Sequence, residues 1–306
     1  MNEDLIEALT AIAEVRKDEL LSRHATFGVG GPADVYVIAK TEDELRLAYA
    51  TARASETPTF IFGSGSNVLV GDGGIRGVTI ENRTSEVEGP AKNGAGYKVR
   101  VASCVSFATL ARRMASAGYG GIEWACGIPG SLGGAVVSNA GAYDRSLKDV
   151  LKSVRFGDVD GKVSTVPADD LQLEYRRSAF SERGITDVVI LSADLHVDEA
   201  NPAELRAKVE EFDADRKASQ PPGRNCGSVF KNPPDHPSWW YVDQVGLRGH
   251  RVGNAQFSEL HTNFILNLGD ATAHDIVRLI ELAEERIKEQ FGIELQREVA
   301  LVGEFE

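Results

Sequence analysis

Chemistry in this sequence would start from four stretches. Gly63 to Gly77 holds six glycines in 15 residues, Gly118 to Gly141 holds eight in 24, and Gly28, Gly30 and Gly31 form a smaller group. Glycine reaches 31 of 306 residues, above the roughly 7% of average proteins. Lacking a Cβ, glycine admits positive φ and lets a ligand or a second backbone come close. Such clusters predict tight loops that can offer amides to an anion. They suit the turns and bulges of a twisted sheet as well, and composition leaves both readings open. The fourth stretch, Arg216 to Asn232, carries Arg216, Lys217, Arg224 and Lys231 and no acid, a local +4 in a chain of net charge −13. Guanidinium and ammonium donors near glycine amides suit phosphate groups, so an anionic small ligand is expected there.

Several other chemistries are excluded. No Gly-Lys-[Ser/Thr] follows either glycine cluster, so neither is a P-loop. Val68 stands where a dinucleotide fingerprint needs its third glycine, and Val68-Leu69-Val70 reads as a strand, not as the start of a helix. His24, His196, His236, His250, His261 and His274 form no H-E-x-x-H and do not pair closely with cysteine, so no metal site is expected. There is no G-x-S-x-G elbow for a hydrolytic serine. Cys104, Cys126 and Cys226 make an odd set without C-x-x-C, which reads as three reduced thiols in a cytoplasmic protein.

The elements that must carry these stretches are of mixed type. A helix is expected over 3 to 15, with Leu5, Ile6, Leu9 and Ile12 on one side, and a strand at Val35 to Ile38. Thr41 with Glu44 three residues on reads as a capping box for a helix through Ala54. Short strands follow at Thr59 to Phe62, Val68 to Val70, Val78 to Ile80 and Lys98 to Val101, then a helix over Ser106 to Ala117 stopped by Gly118. A long strand lies within Asp187 to Val197. Asn201 and Pro202 open a helix to Lys217, and Ile276, Ile280, Ala283 and Ile287 mark the buried face of a last helix over Ala273 to Gln290. That order is neither strict βαβ alternation nor all-β, so the fold class is α+β.

Length predicts about two domains. With 42% hydrophobic and 26% charged residues the chain reads as a soluble globular protein. No apolar run approaches the ~20 residues of a membrane span, and no secretory signal is visible at the N-terminus. Its acidity argues against duplex nucleic acid as a partner.

Six blocks then resemble one family in order. They are His24 to Ala33 (HATFGVGGPA), Gly63 to Leu69 (GSGSNVL), Gly127 to Ala135 (GIPGSLGGA) running on to Asn139-Ala140-Gly141-Ala142-Tyr143, Tyr175 to Phe180 (YRRSAF), Gly227 to Pro233 (GSVFKNP), and Glu294 to Val299 (ELQREV). The chain is similar to the UDP-N-acetylenolpyruvoylglucosamine reductases, flavoenzymes of bacterial peptidoglycan synthesis. The resemblance implies a two-lobed FAD-binding domain of the vanillyl-alcohol-oxidase type and then a smaller α+β substrate domain. The expected boundaries are an N-terminal helix over 1–22, the FAD domain over 23–200 with lobes at about 23–85 and 86–200, and the substrate domain over 201–306.

By the same resemblance, FAD is held without a covalent bond by Gly63, Ser64, Gly65, Ser66, Asn67, Gly127, Ile128, Pro129, Gly130, Ser131, Gly133, Gly134, Asn139, Gly141 and Ala142. NADPH is the co-substrate. The catalytic set is Arg176 as a fixed cation, Glu298 as a protonated carboxyl donor whose pKa burial would raise, and Ser228 as the proton donor to the enolate. Tyr175, Lys217, Arg224, Lys231 and Asn232 would bind the UDP-sugar. A cytoplasmic monomer is expected, with small-molecule partners only.

The sequence departs from the family pattern at three places. Ser219 stands where a lysine precedes Gln-Pro, so Lys217 or Arg224 is expected to supply that charge. Asp144 occupies a position where glycine is common, and Ser138 one where methionine often stands. In one branch of the family a loop inserted after the arginine block folds a tyrosine over the diphosphate. Here Ser181 to Thr186 alone separate Phe180 from the next strand, so the chain resembles the lidless branch. A flavin oxidase on the same scaffold would explain the glycines but not Arg176, Ser228 and Glu298 together. A nucleotide-sugar-binding protein without chemistry would keep the loops and lack the flavin.

Overall fold

The first element ends sooner than its apolar spacing predicts. The computed structural model describes residues 2–181, 185 and 187–305. Asn2 caps the helix Glu3–Thr10 by accepting from the Asp4 amide at 3.1 Å. Leu5 and Leu9 are buried, but Ile12 is only half-buried, and Glu14–Leu20 joins a sheet edge as a strand. The expected N-terminal helix over 1–22 is therefore a helix and then a strand, because sheet pairing overrides helical spacing there.

Thr41 caps Glu42–Ala54 through the Glu44 amide at 3.1 Å, and Glu44 answers by accepting from the Lys40 amide. Ser106 caps Phe107–Ala117, which stops at Gly118 with φ +83°. Asn201 caps Pro202–Ser219 by accepting from the Ala203 amide. Among the strands not foreseen from sequence are Val87–Asn93, Leu151–Asp158 and Val163–Pro167, whose charged or exposed positions hide their alternation. A short helix, Leu132–Ser138, was also hidden, since Gly133 and Gly134 are poor helix formers.

The chain gathers into two units. One comprises residues up to Arg16, Val35–Gly63 and Gly77–Arg216; the other comprises Lys17–Asp34, Ser64–Arg76 and the chain from Lys217 on. These limits cut across the boundaries expected at 22, 23 and 200, because two N-terminal segments gather with the C-terminal residues.

A four-stranded sheet runs in the order Glu14–Leu20, Pro32–Ala39, Ile75–Asn82, Thr59–Phe62. The larger sheet of the first unit runs Val163–Pro167, Leu151–Asp158, Val188–Glu199, Gly96–Ala102, Val87–Asn93, with Tyr119–Gly120 also on Val188–Glu199. Two cores follow from these sheets. Leu5, Leu9, Val35, Val37, Leu45, Val78 and Ile80 fill one. Phe107, Leu110, Met114, Trp124, Leu132, Val154 and Leu195 fill the other.

In the second unit, Ala273–Phe291 presents Ile276, Ile280, Ala283 and Ile287, all fully buried, to Phe257, Ile265, Tyr241 and Phe230. Each buried isoleucine contributes about 1.5–3 kcal/mol. The first turn of this helix is closed by a Thr272–Asp275 capping box, and Asp72 accepts from the amides of Ala273 (2.9 Å) and His274 (3.1 Å). Among the described residues no helix is long and apolar enough to cross a membrane. Glu182, Arg183, Gly184 and Thr186, in the short connection read as lidless, lie outside the described residues.

Candidate active site

The glycine surplus serves two purposes. Gly31, Gly71 and Gly74 are packing positions, where a Cβ would overlap the carbonyls of Asp72, Glu304 and Pro32 in turn. Gly63 instead lies against the Gly127-to-Gly134 segment in the first unit. Ser131 caps the helix Leu132–Ser138, its Oγ accepting from the Gly134 amide at 3.4 Å. Gly130, with φ +116°, makes the turn into that helix, a conformation side chains rarely adopt. Across from it a Cβ on Gly63 would stand 2.9 Å from Ser131 Oγ, so only a hydrogen fits. Ile128 is half-buried and Pro129 exposed.

Arg216 lies along Gly127, where a Cβ would come within 2.8 Å of its Cδ. Its half-burial pulls the guanidinium below its ordinary pKa. Sequence reasoning placed Arg216 in the basic stretch but not among site residues, and nothing in its spacing signalled the approach to Gly127.

Four residues expected at the cofactor, Gly133, Asn139, Gly141 and Ala142, also hold the local structure together. The Gly133 amide donates to Ser103 O at 2.7 Å, and a Cβ there would press on Ser103, so this glycine seats the helix. Asn139, 4% exposed, donates from Nδ2 to Glu174 O (2.8 Å) and accepts from the Lys148 amide at Oδ1 (3.0 Å). It acts as a strut for the segment that carries Tyr175 and Arg176. Gly141 and Ala142 form a small hairpin with Ser146 and Arg145. Arg176 Nη2 donates to Gly141 O at 3.3 Å, and its guanidinium stacks over the exposed Tyr175 ring at 5.4 Å. Arg176 itself has φ +54°, the kind of strained backbone that recurs at functional positions. Tyr143 and Asp144 also have positive φ, which explains why glycine suits position 144. Ser138 at the helix end donates to Gly134 O at 2.9 Å.

In the second unit two distant motifs meet. Thr26 holds the glycine–serine loop, donating from its amide and Oγ1 to Gly65 O at 3.0 and 3.2 Å. Ser64 Oγ donates to Ser66 Oγ at 3.2 Å. Beyond Asn67, Val68–Val70 pairs in parallel with Ala300–Val302. The segment before that last strand lies beside the Ser228 segment. The Glu298 amide donates to Val229 O at 2.8 Å and the Lys231 amide to Gln296 O at 2.8 Å. Ser228 and Glu298, half-buried, therefore sit on neighbouring backbones. Cys226 is buried just before Ser228, and burial pushes its thiol pKa up.

The basic residues are spread over this unit. Lys217 and Arg224 are exposed, and Lys231 is half-buried. Arg224 packs over Gly28, whose Cβ would come 3.0 Å from Arg224 Cδ. Exposed Asn232 accepts at Oδ1 from the amide and hydroxyl of buried Ser238, both at 3.0 Å. Among the described residues no group of three histidine, cysteine or acidic side chains could hold a metal.

Residues 33–167 match the family model of an FAD binding domain, which makes the chain an α+β flavoprotein with FAD as cofactor. The close-packed glycines around Ser131 and the cation beside Gly127 fit that group. Residues 218–302 match the model of the UDP-N-acetylenolpyruvoylglucosamine reductase C-terminal domain. A curated reductase of that name from Synechococcus sp. (strain JA-3-3Ab) is 41% identical over 283 residues, covering 92% of this chain and 89% of the relative. Another, from Lachnoclostridium phytofermentans, is 36% identical over 310 residues, with 99% of each chain covered. The crystal structure of the Thermus caldophilus enzyme (MurB) superposes with a TM-score of 0.78 at 32% identity, over 95% of this chain and all of that one. The chain belongs to the UDP-N-acetylenolpyruvoylglucosamine reductase family.

Proposed function

We propose that the chain reduces the enolpyruvyl group of UDP-N-acetylglucosamine enolpyruvate with NADPH, giving UDP-N-acetylmuramate for bacterial peptidoglycan in the cytoplasm. The observation that carries this reading is the bond from the Glu298 amide to Val229 O, which sets a carboxyl and a serine hydroxyl on adjacent segments. FAD, when bound, supplies hydride transfer from NADPH to the terminal carbon of the enolpyruvyl double bond. Gly63, Gly127, Gly130, Ser131 and Gly134 would hold it, with Arg216 as a fixed cation and the Ser64-to-Asn67 loop as a further binding segment.

The protein's own part concerns charge and protons. Hydride arrival builds negative charge on the substrate's carboxylate side, and donors already aimed there lower the barrier. Arg176 supplies one such donor and Glu298, as its protonated carboxyl, another. Ser228 gives its hydroxyl proton to the carbon next to the carboxylate. A serine is a weak acid, so it acts only within hydrogen-bond reach of a strongly basic carbanion. Lys217, Arg224 and Lys231 meet the diphosphate, with Tyr175 and Asn232 as further substrate contacts.

The test is anaerobic reduction of the purified protein by NADPH, then mixing with either the enolpyruvyl UDP-sugar or oxygen. Rapid reoxidation by the sugar is expected. Reoxidation by oxygen alone would make the chain an oxidase, and a colourless protein would make it a binder without chemistry.

A further inference from the structure

We propose that Asn263 is the positioning residue of the proton-donating serine. The inference rests on the reading of Ser228 given above. Asn263 is 2% exposed, and its side-chain amide bonds both backbone groups of one residue. Oδ1 accepts from the Phe230 amide at 2.9 Å, and Nδ2 donates to Phe230 O at 2.9 Å. The Asn263 carbonyl accepts from the Val229 amide, again at 2.9 Å. On the opposite side, Val229 O accepts from the Glu298 amide and the Lys231 amide donates to Gln296 O, both at 2.8 Å. The segment after Ser228 is thus held like a central strand, with a side chain replacing one neighbour.

That arrangement has a mechanical consequence. Phe230 is buried, so its backbone groups need partners, and Asn263 supplies them both. Ser228, two residues ahead of the bracketed Phe230, takes its place from it. Glycine at 227, with φ +82°, permits the turn that precedes the serine. Aspartate at 263 would keep the acceptor for the Phe230 amide but lose the donor to Phe230 O, leaving the longer contact at 3.4 Å from a Ser238 hydroxyl that already donates to Asn232 Oδ1 at 3.0 Å. Proton transfer is sensitive to displacements of about 1 Å, so a loosened bracket should slow protonation while the fold survives.

The test uses the holoenzyme in a double-mutant cycle of Asn263→Asp and Ser228→Ala, with Asn263→Gln as a second probe that keeps both bonding groups on a longer arm. NADPH reduction of the flavin, substrate-driven reoxidation and thermal stability are measured for each variant. Asn263→Asp is expected to slow reoxidation about 10- to 100-fold while NADPH reduction stays within about threefold. In the Ser228→Ala background the same change should slow reoxidation by less than about threefold, because the group it positions is gone. An equal loss in both backgrounds, or a proportional loss in both half-reactions, would make Asn263 a merely structural residue and overturn the proposal. Failure of both Asn263 variants to accumulate as folded flavoprotein would overturn it too, since the bracket would then serve the fold. If Ser228→Ala alone leaves reoxidation fast, it is the reading of Ser228 that fails.

Discussion

Asn67, in the glycine–serine loop, donates from Nδ2 to the backbone carbonyl of Glu298 at 3.0 Å across 231 residues of sequence. The Ala300 amide returns a bond to Asn67 O at 3.1 Å. A loop expected to bind the cofactor and a carboxyl expected to serve the substrate are thereby fixed in one register. Glu298→Gln should keep a hydrogen-bond donor and lose about tenfold in turnover, whereas Glu298→Ala should lose on the order of a hundredfold or more. Steady-state kinetics under saturating NADPH decides this, and wild-type activity in Glu298→Ala would remove the residue from the site.

The diphosphate prediction concerns Lys217 and Arg224. Charge-assisted contacts contribute on the order of 1.5 to 3 kcal/mol each, so losing one should raise substrate KM by tens-fold. Each single alanine variant and the double variant should show this, and added salt should weaken wild-type binding more than that of the double variant. A wild-type KM in the double variant would mean that the basic stretch is a solvated surface.

The thiols should be quiet. Burial, with a smaller push from Glu81, raises Cys104 to about 11, and burial also raises Cys126 and Cys226. A raised thiol pKa keeps the reactive thiolate scarce until the pH nears that value. A thiol-specific chromogenic disulfide at pH 8 should therefore find no fast-reacting group in the native protein and three after denaturation. One fast equivalent in the folded state would contradict the burial argument.

Asp194 sets an acid limit on stability. Burial alone would raise its pKa, but the hydrogen bonds and charge of Arg100 (2.9 and 3.3 Å), with Lys98 and the Ser153 hydroxyl, outweigh it and hold the carboxyl below its ordinary range. A depressed carboxylate stabilises the fold above its unfolded pKa, and that contribution is lost as the pH falls through the folded value. Asp194→Asn should cost about 1–2 kcal/mol at pH 7, and the difference should shrink in acid below the carboxylate range. Urea denaturation of both proteins at neutral and acid pH checks this; an equal cost at both would argue for packing rather than charge.

The helices were legible from local signals: the Thr41–Glu44 pair for Glu42–Ala54, the stop at Gly118 for Phe107–Ala117, and the spacing of Ile276, Ile280, Ala283 and Ile287 for the last helix. What stayed hidden depends on distant partners. Composition marks Gly31, Gly71 and Gly74 as unusual, yet their reason is backbone from elsewhere in the chain. Leu132–Ser138 is a helix because Ser131 caps it and Gly133 lets it seat on Ser103, against its own propensity. Ser228 and Glu298 were legible through family resemblance alone, since either would pass for an ordinary loop serine or surface acid. Asn263 gave no signal, because its meaning lies in Phe230, 33 residues away.

The central claim is that Ser228 serves protonation of the substrate and nothing earlier, and stopped-flow spectroscopy of Ser228→Ala tests it most directly. The account predicts that the variant binds FAD and is reduced by NADPH at a rate within a few-fold of wild type. Reoxidation by the enolpyruvyl UDP-sugar should collapse by a factor of about 10² to 10⁴. Reoxidation at the wild-type rate, or a proportional loss in both half-reactions, would contradict the account.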